Sequence, residues 1–198
     1  MDKKEKVYAL MEQRGGYLSA KEARENGIEN KTLQRMAAKG LIDRAAHGLY
    51  VNVDIIVPDP FLVAQHRCPK GVFSYETALF LHDLSDRDPL RLMMTIPAGW
   101  NSKMLPDDNI VFFYNTPGKM GFGVCETQTP SGVKVKAFDA ERTLCDCLRS
   151  VDKLDRDLVI TALKRYVKGK NRDNAKLLEY ATALKIRDMV YRYLEVLV

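Results

Sequence analysis

The stretch that decides the fold is residues 17–51, YLSAKEARENGIENKTLQRMAAKGLIDRAAHGLYV. Ser19 followed three residues later by Glu22 forms a capping box, which predicts the start of a short helix. Gly27 stands where such a helix ends in a left-handed residue. A second helix begins shortly afterwards, and two short capped helices joined by a tight turn predict a helix-turn-helix.

The second helix is predicted to take Asn30 as its cap, to run to Lys39 and to stop at Gly40. Its apolar residues lie three and four positions apart, which places them on one buried face: Leu33, Met36 and Ala37. The opposite face carries small, polar or cationic side chains: Lys31, Thr32, Gln34, Arg35 and Ala38. Such side chains suit the phosphate oxygens and base edges of a DNA major groove.

A two-stranded hairpin is predicted to follow, with strands at Leu41-Ile42 and Gly48–Val51 and a tip at Arg44–His47. A helix-turn-helix with such a hairpin is a winged helix, and the tip of the wing would touch an adjacent DNA backbone. The sequence therefore predicts one set of contacts to double-stranded DNA: Lys31, Thr32, Gln34, Arg35, Lys39, Arg44 and His47.

Charge favours the same region. Residues 30–50 contain four bases and one acid, whereas residues 51–150 contain ten bases and twelve acids. A local excess of cations is typical of an electrostatic footprint for nucleic acid. Two alternatives stay open for this region: a small helical subdomain that supports another part of the chain, and a winged helix that docks to protein.

Length and composition indicate an ordinary globular protein, because 198 residues with 46% hydrophobic side chains suffice for two compact units. The start, MDKKEKVYALMEQRGG, lacks the apolar run of a signal peptide, and no segment has the length of a membrane span. We therefore expect a cytoplasmic protein with no membrane partner. The four cysteines are expected to be reduced, and neither they nor the three histidines have zinc-site spacing, so no metal or cofactor is predicted.

A second domain is predicted to begin at Pro58, after a winged-helix domain of residues 1–57, and to extend over residues 58–198. Asp59 and Pro60 suit the cap and first position of a helix. Four strands are predicted at 91–96, 110–114, 124–129 and 133–138, with Asp139 capping the next helix and helices filling residues 151–198. The predicted fold class is α+β: a winged helix, then a mixed α/β domain with a small, mainly antiparallel sheet and a helical C-terminus.

Five cations fall within nine positions near Gly169: Lys164, Arg165, Lys168, Lys170 and Arg172. Two interpretations stay open. Cations at the C-terminal end of a helix are expected from the helix dipole alone. The cluster also continues through the loop, which favours a second surface for an anionic partner.

No catalytic residue is predicted. The glycine-rich segment Gly118–Gly123 lacks the Gly-Lys-Ser/Thr ending of a phosphate-binding loop. Asp139 and Glu141, with Lys134 and Lys136, are loosely similar to the acid-acid-lysine sets of metal-dependent nucleases, but Asp139 serves as a helix cap and Arg142 suits a salt bridge. Asp155-Arg156-Asp157 opens a helix, where the dipole favours carboxylates. A DNA-binding head fused to a nuclease-like or other enzymatic domain remains the alternative.

Four segments in this order resemble the AbiEi antitoxins of bacterial abortive-infection toxin–antitoxin pairs: GLIDRAAHGLYV, FSYETALFLHDLSD, MMTIPAGW and VKVKAFDAERTLCDCL. The resemblance extends over nearly the whole chain. It implies that the winged helix binds inverted repeats in the promoter of its own operon, and that the second domain counteracts a nucleotidyltransferase-like toxin without a stable complex. The resemblance places promoter binding on the helix from Lys31 to Lys39 and on the wing at Arg44–His47, and it implies no catalytic role.

Overall fold

The computed structural model describes residues 2–100 and 109–197. The chain forms two compact units. The N-terminal unit comprises Met1–Pro69 with Gln128–Val135, and the C-terminal unit comprises Lys70–Thr127 with Lys136–Val198. The boundary predicted at residue 57 therefore falls inside the N-terminal unit, which also includes a segment from the middle of the chain.

The N-terminal unit contains a winged helix, as predicted. Its elements are α1 (Lys3–Glu12), β1 (Tyr17–Ser19), α2 (Ala20–Glu25), α3 (Asn30–Ala38), β2 (Asp43–Ala46), β3 (Leu49–Val51) and α4 (Pro60–Arg67). The strands form an antiparallel sheet in the order β1-β3-β2. The helices pack around a continuous core of Val7, Leu10, Met11, Leu18, Ala23, Ile28, Leu33, Met36, Ile42 and Tyr50.

The capping box predicted for α2 is confirmed. The backbone N–H of Glu22 donates to the Ser19 hydroxyl at 3.1 Å, and the Ser19 N–H donates back to the Glu22 carboxylate at 3.0 Å. Gly27 follows with φ of +74°, as expected at a helix end. The cap predicted for α3 was wrong by one residue: Glu29 occupies that position, and its carboxylate pairs with Lys3 at 3.0 Å instead of capping the helix.

The strands of the wing also differ from the prediction. Leu41 and Ile42 are not a strand, and the Ile42 side chain is fully buried in the core. The first wing strand is β2, in which Arg44 pairs with Tyr50 of β3. The tip is consequently the two-residue turn His47-Gly48, where Gly48 has φ of +72°.

The N-terminal unit extends past residue 57 because of Asp59, which is 3% exposed. As predicted, Asp59 caps α4: its carboxylate accepts the N–H groups of Phe61 and Leu62 at 2.8 and 3.0 Å. The other carboxylate oxygen accepts the Thr129 hydroxyl at 2.5 Å, and the Asp59 N–H donates to the Tyr17 hydroxyl at 2.7 Å. A single buried residue thus links α4, β1 and the returning segment 128–135.

The second sheet begins with β4 (Val72–Phe73) and the helix α5 (Tyr75–Leu81). It continues through β5 (Leu92–Pro97), β6 (Ile110–Asn115), α6 (Pro117–Met120), β7 (Val124–Gln128) and β8 (Lys134–Phe138). The helices α7 (Ala140–Arg149), α8 (Arg156–Lys168), α9 (Asn174–Ala183) and α10 (Arg187–Leu197) complete the chain. The strand order is β6-β5-β4-β8-β7. The α+β class and the helical C-terminus are confirmed.

The second sheet is mixed rather than mainly antiparallel. The β4–β5 pair is antiparallel, whereas β5–β6 and β4–β8 are parallel. Parallel neighbours need a crossover connection rather than a tight turn, and residues 98–109 separate β5 from β6. The alternation predicted for β8 is confirmed, because Val135 and Ala137 are buried while Lys134 and Lys136 are exposed.

The core of the C-terminal unit lies among its helices. Its buried side chains include Leu79 of α5, Leu144 and Leu148 of α7, Leu163 of α8 and Leu177 of α9. The predicted salt bridge of Arg142 is confirmed, with Nε of Arg142 2.8 Å from the Asp146 carboxylate and both side chains buried. Across residues 2–100 and 109–197, no helix is both long and apolar enough to cross a bilayer.

Candidate nucleic-acid interface

Helix α3 separates its apolar and polar residues as the sequence predicted. Leu33 and Met36 are buried in the core, and Ala37 is half-buried. The outer face carries the residues predicted to contact DNA: Lys31, Gln34, Arg35 and Lys39 are exposed, and Thr32 is half-buried. Within the described ranges, none of the three cations on this face forms a salt bridge. Their charges are therefore not neutralised by neighbouring acids in contact with them.

A groove of about 300 Å³ runs beside this face of α3. Lys4 of α1 lines it together with the three cations of α3, and Met36 and Leu41 contribute apolar surface. The Lys3–Glu29 salt bridge joins the start of α1 to the start of α3, and this bond to Lys3 lowers the pKa of the Glu29 carboxyl. Sequence reasoning missed Lys4, although the Lys-Lys pair at positions 3 and 4 was the available signal.

The structure brings the two predicted wing residues together. The Nη2 atom of Arg44 lies 2.8 Å from Nδ1 of His47, and Nε of Arg44 donates to the carbonyl of Ala46 at 3.3 Å. Arginine is only a donor, so the imidazole nitrogen accepts this bond. Both side chains are exposed, and neither of these two partners of the guanidinium is an acid.

The five cations near Gly169 are not equivalent. Arg165 forms a two-pronged salt bridge with Asp86, at 2.9 and 2.8 Å, and this bond raises the pKa of the guanidinium. Arg172 donates to the backbone carbonyl of Val167. The remaining three, Lys164, Lys168 and Lys170, are exposed and make no salt bridge among the described residues. Lys164, Arg165 and Lys168 line a shallow depression of about 430 Å³.

Asp139 and Glu141 share a lysine that the sequence analysis did not single out. Lys176 of α9 lies 3.0 Å from the Asp139 carboxylate and 3.2 Å from that of Glu141. Burial lowers the pKa of Lys176, but its bonds to the two carboxylates outweigh burial and raise it. The sequence contains no signal for this contact, because Lys176 is distant in the chain from both carboxylates and meets them only through the packing of α9 on α7.

Tyrosines complete this group. Tyr166 donates to Glu141 at 2.8 Å, and Tyr180 donates to Asp139 at 3.1 Å. Through these bonds the carboxylates of Asp139 and Glu141 hold α8 and α9 against the start of α7. Among the residues that the structure describes, no three His, Cys, Asp or Glu side chains are grouped as metal ligands.

Comparisons with known proteins bear on the N-terminal unit. Residues 5–53 match the family model described as "Transcriptional regulator, AbiEi antitoxin", a match that extends from α1 through β3. No match was found among curated proteins. Among solved structures, the crystal structure of RV2827C protein from Mycobacterium tuberculosis is similar, with a TM-score of 0.45 and 15% identity over 92% of this chain and 75% of that chain. Similarity at this level carries no functional argument.

The family match covers the helices and strands on which the predicted DNA contacts lie, and it supports a role as an antitoxin and transcriptional regulator. The resemblance inferred from the sequence is thereby confirmed over residues 5–53, which are similar to the AbiEi antitoxins described as transcriptional regulators.

Proposed function

We propose that this protein represses its own promoter by binding inverted repeats of double-stranded DNA through α3 and the wing. The observation that carries the proposal is the outer face of α3, where exposed cations flank the amide of Gln34 and form no salt bridge with any residue that the structure describes. Arg35 and Gln34 are suited to read base edges, because arginine pairs with guanine and glutamine with adenine. Lys31, Lys39 and Arg44 supply phosphate contacts that fix the position of the protein on the duplex.

We also propose that the second part of the chain counteracts a nucleotidyltransferase-like toxin encoded beside it, without a stable complex. This proposal rests on the resemblance to AbiEi antitoxins. The chain offers one surface for the task, Lys164, Lys168 and Lys170, whose charges no contacting acid neutralises among the described residues. An acidic protein surface, or a nucleic acid shared with the toxin, would fit there. Both activities place the protein in the cytoplasm, where its promoter and toxin are.

The DNA proposal is tested by mobility shift with a labelled duplex from the region immediately upstream of the gene. The double variant Gln34→Ala/Arg35→Ala should lose about 1–3 kcal/mol per reading contact and bind this duplex no better than unrelated DNA. Lys153→Ala is the control, because Lys153 is exposed and lies in the C-terminal unit. Equal affinity of the double variant and wild type for the upstream duplex would refute the assignment of α3, and no binding by wild type would favour a protein-docking module.

The antidote proposal is tested by growth of cells that express the neighbouring toxin. The triple variant Lys164→Gln/Lys168→Gln/Lys170→Gln should fold, as judged by circular dichroism, and fail to rescue growth. Glutamine is chosen because it removes the charge without placing an acid at the C-terminal end of α8, where the helix dipole disfavours it. Asp152→Asn, an exposed charge change away from the cluster, should rescue fully. Full rescue by the triple variant would show that the lysines are only a solvated helix end.

A further inference from the structure

We infer that His66 of α4 is a positioning residue for the DNA-binding wing, an inference that rests on the proposed function. His66 lies beyond residues 5–53, which the family model matches, and beyond the winged helix as predicted from the sequence. It belongs to the N-terminal unit, as does the whole wing. Nε2 of its imidazole lies 3.0 Å from the carbonyl oxygen of His47, at the tip of the wing. Because a carbonyl only accepts, Nε2 carries the proton and donates.

The turn of the wing combines a register shift with a glycine of positive φ. The pairing of β2 with β3 shifts between Arg44 and Ala46, and Gly48 follows with φ of +72°. A left-handed glycine beside a bulge is a common form of hairpin loop. The bulge leaves the ladder irregular next to the tip, so contacts outside the hairpin add to what holds the turn.

Two outside contacts hold the turn, one at each of its carbonyls. His66 binds the carbonyl of His47, and the backbone N–H of Ala20, at the start of α2, binds the carbonyl of Gly48 at 2.8 Å. A side chain at position 48 would lie 3.8 Å from both Ala20 and His66, which shows how closely the two supports flank the tip. The α2 support comes from the helix-turn-helix itself, whereas the His66 support comes from α4.

The His66 bond also sets the position of the wing cation. His66 holds the backbone of His47, the His47 imidazole accepts from Nη2 of Arg44, and the guanidinium is thereby held at the tip. An exposed arginine otherwise samples many rotamers, and ordering it on binding weakens affinity. The contacts form a chain from α4 through His47 to Arg44, so His66 acts on DNA through Arg44 without touching it.

Fluorescence anisotropy with the labelled upstream duplex tests the inference. His66→Ala should bind about three- to tenfold more weakly, as expected for one lost hydrogen bond. His66→Gln should restore affinity, because the glutamine amide can donate from nearly the same place as Nε2. Gln65→Ala is the matched control: Gln65 is the neighbouring residue of α4, and its amide binds the carbonyl of Cys68 at the end of its own helix.

The double variant Arg44→Ala/His66→Ala separates positioning from general stability. If His66 acts through Arg44, the double variant should bind like Arg44→Ala alone, and the two effects should not add. Two results would overturn the inference and leave the proposed function intact. The first is that the losses of the two single variants add. The second is that His66→Ala binds like the wild type while Gln34→Ala/Arg35→Ala loses binding. Failure of the wild-type protein to bind the upstream duplex would instead overturn the proposed function, and the inference with it.

Discussion

The salt dependence of the proposed DNA binding can be calculated from the exposed cations that make no salt bridge among the described residues. On α3 and the wing these are Lys31, Arg35, Lys39 and Arg44, of which Arg35 is assigned to a base edge and the other three to phosphates. Each phosphate neutralised on duplex DNA contributes about −0.9 to the slope of log affinity against log salt. One bound chain should therefore give a slope of about −2.7, and two chains on an inverted repeat about −5. Raising NaCl from about 50 to about 200 mM should weaken binding by one chain about 40-fold.

Anisotropy titrations at four or five salt concentrations measure this slope. Lys39→Ala should make it shallower by about 0.9 per chain on both upstream and unrelated duplexes, because only a phosphate contact is lost. Lys153→Ala should leave the slope unchanged, because this exposed lysine lies in the C-terminal unit. A wild-type slope shallower than about −2 per chain, or an identical slope for Lys39→Ala, would refute the assignment of these cations to phosphates.

Three further predictions concern stability. Asp59→Ala should lower the free energy of unfolding of the N-terminal unit, measured in urea, by about 1–3 kcal/mol, since it removes both the α4 cap and the Thr129 bond. An unchanged free energy of unfolding would show that segment 128–135 is not held to this unit by Asp59. Burial raises the pKa of Glu22, but bonds from Ser19 and Arg14 outweigh it and lower the pKa below 4.5. A lowered pKa stabilises the fold fully above pH 4.5, and this stabilisation is lost as the pH falls. The Tm of Glu22→Gln should therefore fall less steeply with acid than the Tm of the wild type. An equally steep fall in both proteins would contradict the capping box. Arg142→Met should lower the free energy of unfolding of the C-terminal unit by about 3 kcal/mol, because it leaves the buried Asp146 with Arg149 as its one salt-bridge partner among the described residues. Slower or unchanged amide exchange in α7 would contradict this prediction.

Local signals in the sequence located most of the N-terminal unit. Ser19, Glu22 and Gly27 each act within a few residues of themselves, and the structure shows them in the roles predicted. The first wing strand was misplaced because Leu41 and Ile42 suit a strand by residue type, whereas β2 begins at Asp43, a residue type that is depleted in strands. Residue type alone did not locate this strand.

Long-range contacts were beyond the sequence. Strand β4 has two residues, too few for any periodic pattern, yet it lies in the middle of the second sheet. Arg165 was grouped with its neighbours by position, whereas the fold places it on Asp86, 79 residues away. His66 and Lys176 likewise acquire their partners only when elements that are distant in the chain pack together. The exposed face of α3 was predictable because a helix fixes which of its side chains point together.

The return of residues 128–135 to the N-terminal unit means that the polypeptide passes from one unit to the other three times. A single cut, whether by a protease, a recombination event or a cloning primer, cannot release either unit with all its parts. A fragment starting at Pro58 would retain Asp59 and Thr129 but would lack their partner Tyr17 and the strands β1 to β3 of the same unit. Exchange of regulatory heads between related genes would therefore succeed only if two separate stretches of sequence travelled together. The N-terminal unit is encoded by two separate stretches of the gene, so residues near 59 and 129 should vary together among related sequences.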